Sequence, residues 1–444
     1  MEKIRLRGVG LLARPVLAAL LYANIAAAQP QPPAKEAPPT EVAGIPVNYD
    51  ESKVGVYKLC DPLVMSDGRP VKDAKTWTAK RRPELVRLFE ENQYGRAPGR
   101  PAAMTFEVFD KGTPALEGKA VRRQVTVYFS ADKNGPKMDL LIYLPAAATK
   151  PVPLLLNVAF GANAATVNDP DIKLGEVWGR DKKKVPATRN GMFGRVNVAP
   201  ILEKGIGWAT VYYGDIDPDF LGGVSLGVRA LYLKPGQTEP APDEWGAISA
   251  WAWGISRAVD YFETDKGVEA KRIAIMGVSR LGKTVMWAGA HDTRIAAVIA
   301  SCSGEGGAAL SRRNYGETIA HLVAPTRFPY QFCANYAKWA KYPSESPVDA
   351  NMLVALMAPR PLLLQTGSED GWSDPKGEFL AAVAAGPVYK LFGKQGLDTA
   401  EWPAPGEPIL HDIAYYMHAG GHGTIPSDWE IFLKFLDAQL KPQL

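Results

Sequence analysis

Strand-like and helix-like segments alternate from about residue 150 onwards, and this order constrains the fold more than any other feature of the sequence. Three stretches with alternating apolar residues come first, at 104–110, 120–130 and 138–147. A continuous apolar strand at 152–161 follows, and strand-like and helix-like segments alternate after it. Antiparallel strands followed by such alternation predict an α/β protein, a three-layer α/β/α sandwich around a mostly parallel central sheet.

Length and composition are those of a large globular protein. The chain has 444 residues, 46% of them hydrophobic, and a formal net charge of +4. No basic stripe or nucleic-acid motif is present, so we expect no nucleic-acid partner. We predict one domain with long insertions near 165–200, 215–243 and 303–348. In such folds, ligands bind where these loops gather, at the carboxyl ends of the strands.

The N-terminus resembles an export signal. Lys3, Arg5 and Arg7 precede a short apolar run that ends in three alanines at 26–28, as in a secretory signal peptide. We predict a signal peptide at 1–28, a Pro-rich linker at 29–44 and a catalytic domain at 45–444. The expected location is secreted or periplasmic in a bacterium, with no membrane association after cleavage. An uncleaved anchor is the alternative.

The segment 277–284 matches two motifs that predict different chemistry. As G-x-x-x-x-G-K-T it fits a phosphate-binding P-loop, whereas as G-x-S-x-G its second glycine, Gly282, comes one residue late. Both motifs join a strand to a helix. A P-loop usually follows the first strand, but this segment follows several, and an exported protein meets little ATP. We therefore interpret Ser279 as a nucleophile on a sharp strand-to-helix turn.

A serine nucleophile needs a proton acceptor poised near neutral pH, and the sequence offers five histidines. His422 lies in a Gly-rich loop before the last helix, where α/β-hydrolases carry their base, and His418 is the runner-up. We interpret His291, His321 and His411 as polar or capping residues. The order of Ser279, later acidic residues and a late histidine is that of the α/β-hydrolase fold.

Several ordered motifs resemble the glucuronoyl esterases, carbohydrate esterase family 15. Residues 277–283 fit the family pattern G-x-S-R-x-G-K, and supporting matches lie at 250–263, 303–317, 328–336, 355–364, 369–379 and 419–426. The resemblance covers nearly all of the predicted mature chain. It implies that Ser279 attacks an ester carbonyl, that His422 relays the proton and that Arg280 faces the developing oxyanion. It also implies that three residues contact the uronic acid sugar of the substrate: Lys283, Glu317 and Trp372.

The chain departs from the family at the third member of the triad. Many members have glutamate immediately before S-G-x-G-G, where this chain has Cys302. A thiol cannot orient an imidazole as a carboxylate does, so we predict that the acid is Asp370, which follows the strand-like segment 360–367. Glu369, Asp374 and Glu305 remain alternatives.

The remaining expectations concern ligands, assembly and substrate. Cys60, Cys302 and Cys333 leave at least one free thiol, with any pairing undetermined, and we expect no metal or cofactor. We predict a monomeric esterase acting on glucuronate esters such as those in glucuronoxylan. An acetyl xylan or other carbohydrate esterase is one alternative, and a catalytically impaired carbohydrate-binding hydrolase fold is another.

Overall fold

A computed structural model describes residues 38–191 and 195–440. The predicted signal peptide, residues 1–28, and most of the predicted linker lie outside the described residues. Thr40–Leu444 form one compact unit. Within the described ranges, no helix is both long and apolar enough to cross a membrane.

Within residues 38–191 and 195–440, ten strands form one large sheet, and four short strands form two small antiparallel hairpins, β1–β2 and β7–β8. The sheet order is β13-β14-β12-β11-β10-β6-β9-β5-β4-β3. The strand bounds are β1 Glu41–Val42, β2 Ile45–Pro46, β3 Thr105–Ala115, β4 Ala120–Tyr128, β5 Lys137–Pro145, β6 Val152–Ala159, β7 Glu176–Trp178, β8 Lys184–Pro186, β9 Gly207–Tyr212, β10 Val268–Val278, β11 Ala297–Ser301, β12 Leu362–Gly367, β13 Ile409–Leu410 and β14 Ile413–His418.

The middle of the sheet is parallel and its two edges are antiparallel. Strands β9, β6, β10, β11, β12 and β14 run parallel to one another. Strands β3, β4 and β5 at one edge, and β13 at the other, pair antiparallel. Strands β9, β11, β12 and β14 are buried at every position, because both faces of a parallel sheet are covered. The predicted mostly parallel sheet is therefore confirmed.

Among the residues that the structure describes, ten α-helices pack around the sheet, and two π-helical segments, Trp77–Arg81 and Glu90–Tyr94, flank the second of them. The helix bounds are α1 Ala74–Thr76, α2 Arg82–Phe89, α3 Ala199–Glu203, α4 Tyr213–Ile216, α5 Ala247–Phe262, α6 Arg280–His291, α7 Ile319–Val323, α8 Ala350–Ala355, α9 Pro375–Lys390 and α10 Asp428–Gln439.

Two hydrophobic cores lie on opposite faces of the sheet. Helices α5, α6, α8 and α9 contribute to one core, for example through Trp251 and Val285. Helices α3 and α10 contribute to the other, where Phe432, Phe435 and Leu436 are buried at helical spacing. Each such side chain stabilises the fold by about 1.5–3 kcal/mol through burial. The predicted three-layer α/β/α sandwich is confirmed.

Residues 45–51, which we call the N-terminal strap, bind the long insertion at 303–348. The carbonyl of Asn48 accepts a hydrogen bond from the Gly316 amide at 2.8 Å, and the Asn48 side-chain amide donates to Asn314 at 2.7 Å. Glu51 forms an ion pair with Arg313. The strap thus fixes an insertion that borders the site described next.

Candidate active site

Ser279 lies on a strained turn between β10 and α6. Its backbone has φ 59° and ψ −127°, a left-handed conformation that is costly for a residue with a side chain. A Cβ on Gly277 would lie 2.4 Å from the Leu281 carbonyl oxygen, and one on Gly282 would lie 2.8 Å from that of Ser301. Both positions therefore require glycine. The turn has the form of a nucleophile elbow, which presents the serine above the sheet.

Asp370 and His422 form a hydrogen-bonded pair near the same edge of the sheet. Asp370 follows β12 and His422 follows β14, and these strands are parallel neighbours. The Nδ1 atom of His422 lies 2.7 Å from Oδ2 of Asp370. Because an ionised carboxylate only accepts, Nδ1 donates this bond and Nε2 is left as the acceptor. The structure thus brings together two of the residues predicted from the sequence.

The surroundings of Asp370 keep its carboxylate ionised although it is only 6% exposed. Burial acts to raise the pKa of Asp370, but the hydrogen bond and charge of His422, helped by the Ser373 amide, outweigh burial and lower it. The side chain of His422 remains 44% exposed. A buried, charged acid behind a solvent-facing imidazole is the arrangement that a general base requires.

Cys302 lies beside this pair. Its backbone φ is 44°, and its amide donates to the Gln365 carbonyl at 2.7 Å. The Sγ atom lies 3.3 Å from the Gly423 amide, which donates to it. Burial, followed by the charge of Asp370, raises the pKa of Cys302, so the group at the family's glutamate position is a neutral thiol. All three cysteines of the sequence are free.

The alternative acids have other partners. Asp374 accepts from Arg313 at 2.9 Å and caps α9 through the Gly377 amide. Glu305 accepts from Ser311 at 2.6 Å and from Tyr336 at 2.8 Å. Burial raises the pKa of Glu305 to about 8 against the effect of these two hydrogen bonds. Neither carboxylate is engaged with His422 in the way that Asp370 is.

The other four histidines have structural contacts. Both ring nitrogens of His418 are engaged, with Nδ1 3.0 Å from Asp428 and Nε2 3.0 Å from the Gly421 carbonyl. The remaining three bond as follows: His291 to Glu90, His321 to Thr318 and the Ile45 carbonyl, and His411 to the Gly396 carbonyl. His418 therefore fastens the loop that carries His422.

Arg280 is held by a carboxylate that sequence reasoning did not identify. Its guanidinium lies 2.5 Å from Oδ2 of Asp219, which sits in the predicted insertion at 215–243. Burial acts to lower the pKa of Arg280, but the charge of Asp219 outweighs it and raises the pKa. Three more side chains donate to Asp219 at 2.8–2.9 Å: Tyr213, Tyr330 and Gln331. Four donors thus fix one carboxylate, and through it the orientation of Arg280.

Lys283, Glu317 and Trp372 form a second cluster of predicted site residues. Lys283 and Glu317 are buried, 3.9 Å apart, and Arg327 bonds Glu317 at 2.7 Å. Burial lowers the pKa of Lys283 and raises that of Glu317, and their opposite charges partly offset both shifts. The Trp372 carbonyl accepts from the Glu317 amide at 2.8 Å. Buried charges of this kind are costly and are common at functional sites.

Another residue missed by sequence reasoning is Glu378, on α9. Its carboxyl accepts from the Gly304 amide at 2.6 Å and from Ser303 at 3.0 Å, and so supports the turn that follows Cys302. Burial raises its pKa to about 8. Glu378 lies inside the matched segment 369–379, but that segment gave it no role, and no motif covers Asp219. Each acts across more than 60 residues of sequence.

The strand order, with a strained serine turn after a central parallel strand, is that of an α/β-hydrolase. A family model described as "Glucuronyl esterase, fungi" matches residues 240–393. The chain is 45% identical over 398 residues to a "Carbohydrate esterase MZ0003" from an unknown prokaryotic organism, covering 88% of this chain and 91% of that protein. A structure of a glucuronoyl esterase from Solibacter usitatus has a TM-score of 0.85 at 49% identity, over 88% of this chain and 100% of that one.

A fungal relative, the 4-O-methyl-glucuronoyl methylesterase of Phanerochaete carnosa, is 26% identical over 85% of this chain and 82% of its own length. The chain therefore belongs to the glucuronoyl esterases of carbohydrate esterase family 15. By family it is a carboxylic ester hydrolase.

Proposed function

We propose that the protein is a secreted serine esterase that hydrolyses esters of 4-O-methyl-D-glucuronic acid, as in linkages between lignin and glucuronoxylan. The main support is the 2.7 Å pair of His422 and Asp370, which shares the carboxyl edge of the sheet with the strained turn of Ser279. Family membership supports the uronate substrate.

Ser279 attacks the ester carbonyl while Nε2 of His422 takes the serine proton. Asp370 keeps the other imidazole proton on Nδ1 and stabilises the imidazolium that forms. The protonated His422 then gives its proton to the departing alcohol. Water, activated by the same imidazole, hydrolyses the acyl-enzyme and releases the uronic acid.

Arg280 is the proposed oxyanion donor. It directly follows the nucleophile, and its contact with Asp219 fixes its guanidinium before the substrate arrives. A preorganised positive charge stabilises negative charge that develops in the transition state, without reorganisation at the moment of reaction.

Lys283, Glu317 and Trp372 are the proposed contacts to the sugar. The buried Lys283–Glu317 pair offers a donor and an acceptor for adjacent hydroxyl groups, while the indole of Trp372 packs against the ring. Removal of a signal peptide at residue 28 would release the chain, which we propose acts as a monomer with residues 45–444 as its catalytic domain.

The test is hydrolysis of a methyl 4-O-methyl-glucuronate by wild type and by Ser279→Ala and Asp370→Ala. We expect Ser279→Ala to be inactive and Asp370→Ala to lose about 10³- to 10⁴-fold in kcat. Glu369→Gln, which alters the exposed neighbouring acid, is the matched control and should retain its rate.

Three results would contradict parts of this assignment. Hydrolysis of acetylated xylan without hydrolysis of the glucuronate ester would exclude the uronate substrate. Full activity of Asp370→Ala would exclude Asp370 as the acid. Absence of any esterase activity in the wild type would indicate an impaired carbohydrate-binding fold, with Cys302 in place of the missing carboxylate.

A further inference from the structure

A thiol, a carboxylate and an imidazole converge at one point of the site. One ligand atom from each of Cys302, Asp370 and His422 lies within 4.8 Å of the other two, and no other such group of metal-binding side chains occurs among residues 38–191 and 195–440. The reaction described above uses Asp370 and His422 but leaves Cys302 without a role. We therefore consider what the thiol, the carboxylate and the imidazole could bind together.

Cys302 is held in place against the loop that carries the imidazole. Its amide is bonded to the Gln365 carbonyl on β12, and its Sγ contacts both the amide of Gly423, at 3.3 Å, and its carbonyl, at 3.5 Å. Gly423 directly follows His422. The backbone bond to Gln365 and the two Sγ contacts with Gly423 therefore hold the thiol next to the backbone that carries His422.

The chemistry of these three side chains selects a borderline-soft cation. Sulfur, imidazole nitrogen and carboxylate oxygen are the ligands of Zn²⁺, whereas Mg²⁺ and Ca²⁺ prefer oxygen alone. We propose that Cys302, Asp370 and His422 form an inhibitory Zn²⁺ site, with water as the fourth ligand on the exposed side of His422. The metal would be an inhibitor and not a cofactor.

Charge balance favours this complex in a buried place. One thiolate and one carboxylate neutralise the two charges of Zn²⁺, so no net charge is buried with the metal. The thiol releases its proton to solvent as the S–Zn bond forms. Cys302 is 1% and Asp370 6% exposed, but the 44% exposed side chain of His422 borders a path from solvent.

The donors need only small movements. In a tetrahedral zinc site, neighbouring ligand atoms lie roughly 3.5 Å apart. The 2.7 Å contact between Asp370 and His422 must therefore lengthen by roughly 1 Å, and no separation in the cluster exceeds 4.8 Å, so none must shorten by more than roughly 1.3 Å. Gly420, Gly421 and Gly423 surround His422, and glycine permits such backbone adjustment.

Binding through Nδ1 would stop the reaction by a change of tautomer. Nδ1 now carries the proton shared with Asp370. When zinc replaces that proton, the neutral imidazole carries its proton on Nε2 instead. An Nε2–H group cannot accept the proton of Ser279. The predicted inhibition rests on the proposed esterase function, whereas the predicted binding of Zn²⁺ is independent of it.

Binding is tested without any substrate. Purified protein is dialysed against Zn²⁺, and Co²⁺ is used as a spectroscopic probe, because a thiolate ligand produces a near-ultraviolet charge-transfer band. We expect wild type to bind one more equivalent of Zn²⁺ than Cys302→Ala and to show the thiolate–cobalt band, which Cys302→Ala should lack. Cys333→Ala removes another buried free thiol and should behave as wild type. Equal Zn²⁺ binding and the same cobalt spectrum in Cys302→Ala and wild type would overturn the proposal.

Inhibition is tested next by titrating Zn²⁺ into the esterase assay. We expect inhibition that a chelator reverses and that Mg²⁺ does not reproduce. Loss of the sulfur ligand in Cys302→Ala or Cys302→Ser should raise the half-inhibitory Zn²⁺ concentration at least about tenfold. Equal sensitivity of these variants and wild type would refute the role of the thiol. If wild type hydrolyses no ester, the proposed function fails, while the cobalt spectrum still decides whether the site exists.

Discussion

Replacing Asp219 with asparagine should slow the enzyme although Asp219 touches neither the nucleophile nor the base in the described contacts. Oδ2 of Asp219 accepts from Arg280 at 2.5 Å and from Tyr213 at 2.9 Å. Asparagine has only one acceptor oxygen, so in either orientation its amide nitrogen faces two of the four donors, and the negative charge opposite Arg280 is lost. A hydrogen bond to a charged group contributes about 1.5–3 kcal/mol, which corresponds to about 10- to 160-fold in rate. The loss should fall on kcat, because the oxyanion forms only in the transition state.

The assay is steady-state hydrolysis of the glucuronate ester, with Tyr330→Phe as a milder change at the same carboxylate. That variant removes one neutral donor at 2.9 Å from Asp219 but leaves the carboxylate its charge and its other three donors, so it should cost less, about 1 kcal/mol or about fivefold. A double-mutant cycle with Arg280→Ala tests whether Asp219 acts by positioning Arg280. If it does, the effect of the double mutant on kcat should be smaller than the sum of the two single effects. If Asp219→Asn keeps full kcat while Arg280→Ala is impaired, or if the double mutant is strictly additive, Asp219 does not act through Arg280.

Three further predictions concern stability and binding. In the folded protein the pKa of Glu305 is about 8, above its ordinary value of 4.5. Its contribution to the free energy of unfolding is therefore fully present below about pH 4.5 and is lost as the pH rises through about 8. Glu305→Gln cannot ionise and should show a smaller fall in Tm between about pH 5 and about pH 9 than wild type; equal slopes would contradict this. Gly282→Ala, whose Cβ would lie 2.8 Å from a carbonyl oxygen, should lose about 1–3 kcal/mol in chemical unfolding. Gly99→Ala has open space at its Cβ and serves as the control, so equal stability of the two would refute the steric argument. Lys283→Met should raise KM about tenfold through loss of one charged hydrogen bond to the sugar, and an unchanged KM would remove Lys283 from the binding site.

Local sequence signals predicted much of the fold, and the structure brings together Asp370 and His422, two of the residues predicted for the site. Alternation of strands and helices indicated the layers, and the structure buries every position of the parallel strands β11 and β12 between them. The glycines around Ser279 indicated the sharp turn, and the structure has positive φ there. The sequence placed Asp370 after the strand-like segment 360–367 and His422 in the loop before the last helix. The structure shows why they meet, since β12 and β14 are parallel neighbours that end at the same edge.

Long-range polar contacts could not be predicted in this way. Asp219 lies 61 residues before Arg280, within an insertion that has no periodic pattern. Glu378 has the local sequence of an ordinary helix residue, and only the fold places it under Gly304. The π-helical segments on either side of α2 also escape prediction, because their sequence pattern is that of a continuous helix.

The N-terminal strap has a consequence for the order in which the chain can assemble. Residues 45–51 are among the first of the domain to be synthesised, yet Asn48 bonds to Asn314 and Glu51 to Arg313, more than 260 residues later. The strap must therefore wait for most of the polypeptide before it can make these contacts. The border of the substrate site can close only after the chain has been synthesised through residue 314. A chain shortened to begin at residue 60 would keep the triad residues but lose the segment that holds the insertion beside them.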